Sequence, residues 1–451
     1  MEKINRRSFI KNVTAGAAAV TAVAAVGCKP GEQKSASEEK QLGEMSHRVH
    51  NTSGDVVSLL GYGGMRWPTV GSGRNAPLDQ EEINRLIDYA YNHGVNYYDT
   101  SPRYCQGHSE EAMGIALSKY PRNTYFIATK LSNMSPGDMS FEASKRMYEN
   151  SFKFLQVDYI DYYLLHNIQG IAQFQQRFID NGMLDYLKKE KEAGRIRHLG
   201  FSFHGNKECF DYLIDNYTWD FVQIQMNYMD YRNGQRASGN VDGEYVYNRL
   251  AEKNTQAIIM EPLLGGRLSS MVPPLTERLK AQRPDRSVAS WAFRFLGSFP
   301  NILTILSGMT YMEHLVENVE TFSPIEPCSE DDFALLEDIA KAILDYPMIN
   351  CNYCNYCMPC PYGLDIPGIF QNYNKCINEG QFAFSSHDEN YKKARRAFLV
   401  NYDRAVPTER QAKHCIGCRQ CVPECPQRIN IPATMQMVDD YVEKLKQNLE
   451  F

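Results

Sequence analysis

The sequence lacks a basic excess, a membrane-length apolar run and a glycine-rich phosphate loop. Its 451 residues contain 48 Lys and Arg against 54 Asp and Glu, a formal net charge of -6, which argues against a nucleic-acid-binding function. The weakly apolar stretch at residues 13–27 is too short, and too rich in Ala and Gly, for a membrane span of about 20 residues. The segment LLGYGGMRW contains glycines but not G-x-G-x-x-G, so an open doubly wound sheet with that loop is not expected.

The length of the chain favours two folded units with tails, because single cores stop growing beyond about 250–300 residues. Residues 1–28 combine a charged start with the apolar stretch and small residues before Cys28, a pattern typical of a removable targeting signal. Residues 29–45 are polar and lack apolar periodicity, so we expect a flexible linker there.

Eight short apolar runs alternate with helical patterns between residues 46 and 327. The runs are VVSLLGYG, VNYYDT, YFIATKL, YIDYYLLH, IRHLGFS, FVQIQMN, AIIMEPL and ILTILSG. Segments between them, such as EEINRLIDYAYNHG, show the apolar spacing of an amphipathic helix. This alternation predicts the α/β class and a closed (β/α)8 TIM barrel for residues 46–327.

Chemistry-bearing side chains stand at the ends of three of these runs. Asp99, Lys130 and His166 close the second, third and fourth runs, and Tyr104 follows Asp99 in the next loop. A parallel barrel gathers the C-terminal ends of its strands on one face. There Lys130 would lower the pKa of Tyr104 and pair with Asp99, while His166 would direct a substrate oxygen. The alternative is a buried salt bridge among aromatic strand ends with no catalytic role.

Several separate motifs in the right order resemble the aldo/keto reductase family. They are G-V-N-x-x-D-T-x-x-x-Y from Gly94 to Tyr104, the strands ending in T-K and L-L-H, and the later EPLLGG and EHLVEN segments. The resemblance spans about residues 46 to 325. It implies NAD(P)(H)-dependent interconversion of a small-molecule carbonyl and an alcohol. It also implies that Tyr104 is the general acid/base and that Asp99, Lys130 and His166 complete a catalytic tetrad.

The same resemblance implies a nicotinamide site without a Rossmann fold. The residues expected to contact the cofactor are Ser202 and Gln225 at the carboxamide, Leu263, Gly265 and Gly266 at the pyrophosphate, Ser307 and Gly308 at the last phosphate turn, and Glu317 and Asn318 at the adenine. The sequence departs from the family pattern at Phe203, Met260, Tyr311 and His314. The last two lack the positive fork that grips a 2'-phosphate, so NAD(H) stays open beside NADP(H).

Eight of the 13 cysteines form two tight groups near the C-terminus, which is typical of metal sites rather than of a disulfide framework. The groups are Cys351, Cys354, Cys357 and Cys360, and Cys415, Cys418, Cys421 and Cys425. Pro361 and Pro426 follow the last cysteine of each group. Both are close to the C-x2-C-x2-C-x3-C-P run of bacterial ferredoxins, although the first group departs from that spacing by one residue.

This second resemblance implies that residues 328–451 form a small, mainly helical ferredoxin-like domain with two 4Fe-4S clusters. Because the fourth cysteine of such a run ligates the other cluster, we expect two sets of ligands. The sets are Cys351, Cys354, Cys357 and Cys425, and Cys360, Cys415, Cys418 and Cys421. Two zinc sites are the alternative. The remaining Cys105, Cys209, Cys328 and Cys376 are expected to be ordinary thiols.

The start of the chain resembles an export signal. Arg6 and Arg7 followed by SFIK resemble the twin-arginine type, and Cys28 after Ala25-Val26-Gly27 resembles a lipoprotein cleavage site. The expected location is therefore the periplasm, with a membrane tether if Cys28 is lipidated.

Together these patterns give the hypothesis of an oxidoreductase whose hydride chemistry is coupled through the clusters to an external electron-transfer partner. One alternative is an iron-sulfur electron-transfer protein whose barrel only binds or senses a ligand. Another is a barrel hydrolase that uses Asp99 and Glu261 as a carboxylate pair, against which Lys130 beside Asp99 argues.

Overall fold

Eight parallel strands close into a barrel in the computed structural model, which describes residues 43–71, 76–238 and 240–451. The strands of the chain are β1 (His47–Val49), β2 (Val56–Ser58), β3 (Leu60–Gly63), β4 (Tyr97–Asp99), β5 (Phe126–Leu131), β6 (Ile160–Ile168), β7 (Ile196–Phe203), β8 (Phe221–Gln225), β9 (Gln256–Met260) and β10 (Ile302–Ser307). Strands β3 to β9 pair in chain order, and β10 closes the barrel between β9 and β3. The predicted (β/α)8 barrel is confirmed.

The barrel strands are buried because helices cover their outer faces and side chains fill the interior. Every residue of β6 is buried. Inside the barrel, Tyr97 and Tyr162 meet edge to face with ring centroids 5.0 Å apart, and Tyr162 meets Phe221 at 5.1 Å. The interior is therefore a packed aromatic core, and only the strand ends remain to build a site.

The first predicted run, VVSLLGYG, forms two strands instead of one. Strand β2 pairs with β1 in an antiparallel hairpin, and β3 enters the barrel after Leu59. Val57 of the hairpin packs with the aromatic residues of the barrel interior, so the hairpin closes one end of the barrel. Met45, at the end of the predicted linker, is only 5% exposed, which shows that the folded part begins slightly earlier than predicted.

Helices connect the barrel strands. They are α1 (Gln80–Asn92), α2 (Ser109–Leu117), α3 (Phe141–Leu155), α4 (Ile171–Phe174), α5 (Met183–Glu192), α6 (Lys207–Asn216), α7 (Asp230–Ser238), α8 (Gly243–Glu252), α9 (Pro273–Gln282), α10 (Val288–Gly297) and α11 (Met312–Thr321). Helices α1, α3, α6 and α10 each begin at a side-chain cap. The Asp79 side chain, for example, accepts a hydrogen bond from the Glu82 amide at the start of α1, which satisfies one of the free N–H groups of the first turn.

The C-terminal region is mainly helical, as predicted. It contains α12 (Glu330–Leu344), α13 (Ile366–Asn378), α14 (Tyr391–Ala405) and α15 (Ile431–Gln447). Ser329 and Asp332 form a capping box at the start of α12. The ferredoxin-like nature of this region stays a prediction. The domain boundary at residue 327 also stays a prediction, because residues 42–451 form one compact unit.

The targeting signal at residues 1–28, its Cys28 and most of the linker lie outside the described residues. Within the described ranges, no helix combines the length and apolar character needed to cross a membrane.

Candidate active site

The ends of β4 and β5 hold a buried ion pair. Lys130 Nζ lies 2.6 and 2.7 Å from the two carboxylate oxygens of Asp99, and it also donates to the Thr100 carbonyl at 2.8 Å. Burial raises the pKa of Asp99 and lowers that of Lys130, while the contact between the opposite charges opposes both shifts. The predicted pairing of these two residues is found in the structure.

Tyr104 begins the short 3-10 turn Tyr104–Gly107 beside this pair and is 8% exposed. Lys130 Nζ lies 4.9 Å from the centroid of its ring. The expected lowering of the Tyr104 pKa is wrong, because burial raises that pKa well above its ordinary value. The ammonium faces the ring and is paired with Asp99, and its charge does not outweigh the effect of burial on the Tyr104 pKa. Tyr104 is thus a protonated phenol at neutral pH, suited to donate a proton.

His166, near the end of β6, faces Tyr104 edge to face with ring centroids 6.0 Å apart. Its Nδ1 lies 2.6 Å from the Ser132 hydroxyl oxygen. Burial, followed by the charge of Lys130, holds the His166 pKa well below its ordinary value, so the imidazole is neutral. Because Ser132 occupies Nδ1, Nε2 is the atom that faces the site.

A cavity of about 460 Å³ opens at these strand ends. Asp99, Tyr104 and His166 line it, and Lys130 reaches it through its contacts with Asp99 and Tyr104. The structure therefore brings the four predicted catalytic residues together. A protonated phenol and a neutral imidazole at one cavity wall can both hydrogen-bond a carbonyl oxygen.

Most of the predicted cofactor contacts line the same cavity. They are Ser202, Leu263, Gly265, Gly266, Ser307, Gly308, Glu317 and Asn318. Gln225 is not among the lining residues, because it donates to Asp230 at 2.7 Å and accepts from Gln427 at 2.9 Å. Gln223, two residues earlier on the same face of β8, lines the cavity instead, and its buried Oε1 has no partner among the described residues.

The sequence model of the Aldo/keto reductase family matches residues 59–341, which is more than half of the chain. The chain belongs to the aldo/keto reductase family. It is accordingly an oxidoreductase of the aldo/keto reductase type, and the resemblance inferred from the motifs is confirmed for the barrel.

Two curated relatives align along most of their own length. L-galactose dehydrogenase of Arabidopsis thaliana is 26% identical over 314 residues, which cover 66% of this chain and 94% of the relative. The uncharacterized oxidoreductase YqkF of Bacillus subtilis (strain 168) is 27% identical over 320 residues, covering 66% and 99%.

Solved structures support the fold. The holo form of an aldo-keto reductase from Bacillus halodurans superposes with a TM-score of 0.54 at 24% identity, covering 66% of this chain and 97% of that one. An aldo-keto reductase from Klebsiella pneumoniae, solved in complex with NADPH, superposes with a TM-score of 0.50 at 20% identity, covering 66% and 95%.

Residues 351–360, the first cysteine segment of this aldo/keto reductase, lie beyond the family match, and several of them form part of the cavity wall. Asn352 donates to Glu261 Oε1 at 2.6 Å, and its carbonyl accepts from Arg66 at 2.5 Å. Cys354 and Tyr356 line the cavity. Arg66, Asn352 and Tyr356 were not predicted as site residues, since no local motif reports that a distant segment docks there.

Gly265 shows how closely this segment packs on the barrel. Its φ is +67°, and a Cβ placed there would lie 2.4 Å from the Asn352 carbonyl oxygen. Only glycine fits both the backbone conformation and this contact. The loop predicted to cover the pyrophosphate is therefore in contact with the cysteine segment.

Thiols within each predicted set are close enough to influence one another electrostatically. Beyond the effect of burial, Cys351 and Cys425 raise the pKa of Cys354, and the same three thiols, followed by Cys421 of the second set, raise the pKa of Cys357. In the second set Cys418, Cys415 and Cys360 raise the pKa of Cys421. The twelve cysteines of the described residues are all free of disulfides.

Backbone N–H groups also point at the cysteine sulfurs. The Tyr353 N–H donates to Cys351 Sγ at 3.4 Å, and burial raises the pKa of Cys425 while the backbone of Ile429, Gln427 and Arg428 opposes that shift. Such N–H groups suit a thiolate that holds an iron-sulfur cluster. Within the described ranges, no three His, Cys, Asp or Glu side chains converge closely enough to hold a single metal ion. The ligands of a cubane cluster surround four irons rather than one.

Proposed function

We propose that the protein interconverts a small-molecule carbonyl and an alcohol with NAD(P)(H), with Tyr104 as the general acid/base. The observation that carries this proposal is the meeting of a protonated phenol, a neutral imidazole and a buried Lys–Asp pair at one cavity. We further propose that the reaction is coupled to electron transfer through two 4Fe-4S clusters.

In the reductive direction Tyr104 donates its proton to the carbonyl oxygen, and His166 orients that oxygen through Nε2. Lys130, held by Asp99, places a positive charge against the face of the Tyr104 ring and stabilises the negative charge that the ring gains as its proton leaves. The nicotinamide, when bound, supplies the hydride to the carbonyl carbon.

The nicotinamide nucleotide would be held by the predicted contact residues that line the cavity, of which Ser202 is the first in the sequence and Asn318 the last. Gln223, with its unpartnered buried oxygen, is a better candidate for the carboxamide than Gln225. Arg66 is the one Arg or Lys side chain among the described lining residues, and the Asn352 carbonyl already accepts from it. This supports NAD(H) as the cofactor, because a 2'-phosphate needs a free basic partner.

Each set of four cysteines would hold one cluster, which would supply one-electron transfer. The support is the electrostatic interaction among the thiols of each set and the Tyr353 N–H that donates to Cys351 Sγ. Cys354 lines the cavity that holds Tyr104 and His166, so the first cluster would adjoin the reacting groups. In the oxidative direction, the two electrons taken from the alcohol would pass one at a time through the clusters to an external partner.

We also propose that the protein is exported to the periplasm by a twin-arginine-type signal, with Cys28 as a site of lipidation. The support is the Arg6-Arg7 motif and the small residues before Cys28. Folding with clusters inserted before export is consistent with such a pathway.

Substituting Tyr104 by Phe tests the acid/base role. Reduction of small aldehydes by NADH should fall by at least about 100-fold, the scale of lost general acid catalysis, with NADH affinity unchanged. Tyr91→Phe is a matched control, since its hydroxyl bonds Thr124 outside the cavity. Aldehyde reduction that persists in Tyr104→Phe would refute the assignment.

A further inference from the structure

Tyr356 belongs to the first cysteine segment, yet its hydroxyl lies in the catalytic site of the barrel. It lies 3.3 Å from His166 Nε2, and the two rings meet edge to face at 6.1 Å. The guanidinium of Arg103 lies 5.5 Å from the Tyr356 ring centroid. The family match ends at residue 341, so Tyr356 is an addition to the barrel site by the C-terminal region.

The contact occupies the hydrogen-bonding capacity of His166. A neutral imidazole has one polar atom on each side, and Nδ1 is already taken by Ser132 at 2.6 Å. Nε2 is the atom that a substrate oxygen needs, and Tyr356 holds it. A carbonyl oxygen therefore cannot bond Nε2 while the Tyr356 hydroxyl remains there.

The Tyr356 hydroxyl also interacts with the second group that a substrate oxygen needs. Burial, followed by the neighbouring Tyr356 phenol, raises the pKa of Tyr104. Tyr356 thus lines the same cavity as the two partners proposed for the reacting oxygen, Tyr104 and His166, and its hydroxyl is in contact with His166 Nε2. We infer that Tyr356 is a specificity-determining residue whose hydroxyl stands in the place of the reacting oxygen, so that a substrate must displace it.

Contacts around the segment set the cost of that displacement. The Arg103 guanidinium packs over the Tyr356 ring, and its Nη2 lies 3.7 Å from Oε2 of Glu424. Glu424 belongs to residues 415–425, the second cysteine segment. Asn352 is fixed by Arg66 and Glu261. A small carbonyl compound replaces the Tyr356 hydroxyl with a single oxygen. Only a substrate that makes further contacts in the cavity therefore binds well. Substrates with several polar groups along the cavity are accordingly selected over simple aldehydes.

Tyr356→Phe tests this inference, which rests on the proposed function. The variant keeps the ring and its contact with Arg103 but removes the hydroxyl. With para-nitrobenzaldehyde as the substrate, KM should fall by about three- to tenfold, the factor for one neutral hydrogen bond, with kcat changed by less than about twofold. Tyr353→Phe is the matched control, because its hydroxyl accepts from Asn374 at 2.9 Å and does not line the cavity.

Binding without turnover separates this inference from the proposed function. Calorimetric titration with para-nitrobenzyl alcohol, with and without NADH, should show tighter binding to Tyr356→Phe than to the wild type or Tyr353→Phe. Equal, weaker or undetectable binding to Tyr356→Phe contradicts the inference, as does a kcat that falls tenfold. A protein that binds the alcohol more tightly after the substitution but reduces no aldehyde would instead contradict the proposed function alone.

Discussion

Lys130 Nζ lies 2.6 Å from Oδ1 and 2.7 Å from Oδ2 of Asp99, and both side chains are buried. Removing one partner of such a close, buried pair strongly lowers the stability of the fold, because the remaining charge stays in a low-dielectric site. The pair therefore contributes to folding as well as to the chemistry at Tyr104.

Lys130→Met should lower the free energy of unfolding by roughly 3–5 kcal/mol and abolish carbonyl reduction. Urea unfolding and steady-state kinetics measure the two effects. The double variant Asp99→Asn/Lys130→Met should recover much of the stability but none of the activity. A single variant as stable as the wild type would show that the buried charges are compensated by other groups.

Substitutions in the two cysteine sets should remove the clusters one at a time. Cys354→Ser and Cys418→Ser should each lower the iron content from about eight to about four per chain, measured on anaerobically purified protein. Cys328→Ser, outside both sets, should keep the full content. Loss of all iron in either variant would mean that the clusters do not form independently, and zinc in place of iron would contradict the ferredoxin resemblance.

The phosphate end of the cavity should favour NADH over NADPH. His314 is exposed at this end and lines the cavity, and its ring lies 5.2 Å from that of Tyr311. His314→Arg adds a guanidinium for the 2'-phosphate and should lower the Kd for NADPH by about tenfold, the value of one charge-assisted contact. Val316→Arg, exposed on the same helix α11 but not lining the cavity, should leave the Kd unchanged. Tighter NADPH than NADH binding by the wild type would contradict this account.

Glu110 should make stability fall as the pH rises from about 4.5 to 7. This side chain is 1% exposed, and burial raises its pKa from 4.5 to about 7 although Thr129 donates to it at 2.6 Å. Because the folded pKa is the higher one, the stabilising contribution is complete below pH 4.5 and is lost as the pH rises through 7.

Glu110→Gln removes this dependence. Above pH 7 the variant should be more stable than the wild type by on the order of 3 kcal/mol, measured by urea unfolding across pH 4 to 8. The exposed neighbour offers a control, since Glu111→Gln should keep the wild-type profile. If the free energy of unfolding of the Glu110→Gln variant and of the wild type changed with pH in the same way, the buried Glu110 carboxylate would already be ionised.

The sequence predicted the barrel well because its signals are local. Each of the eight apolar runs contains a barrel strand, and Asp99, Lys130 and His166 stand at strand ends that a parallel barrel necessarily brings together. The mainly helical character of the C-terminal region was also predicted.

The docking of the cysteine segments could not be predicted in this way. Tyr356 and His166 are 190 residues apart, and a cysteine spacing says nothing about which surface the loop covers. Gln225 illustrates the consequence, because its contacts with Asp230 and Gln427 take it out of the cavity wall. The pKa of Tyr104 was misjudged for a related reason, since burial depends on the closed site and not on the strand end alone.

The visible absorption spectrum of anaerobically purified protein, recorded before and after addition of NADH, tests the central claim most directly. We expect a brown band from the iron-sulfur clusters that bleaches when NADH is added, since Cys354 lines the cavity that holds the catalytic residues. A band that NADH leaves unchanged, in a protein that binds NADH, would contradict electron transfer between the nicotinamide and the clusters.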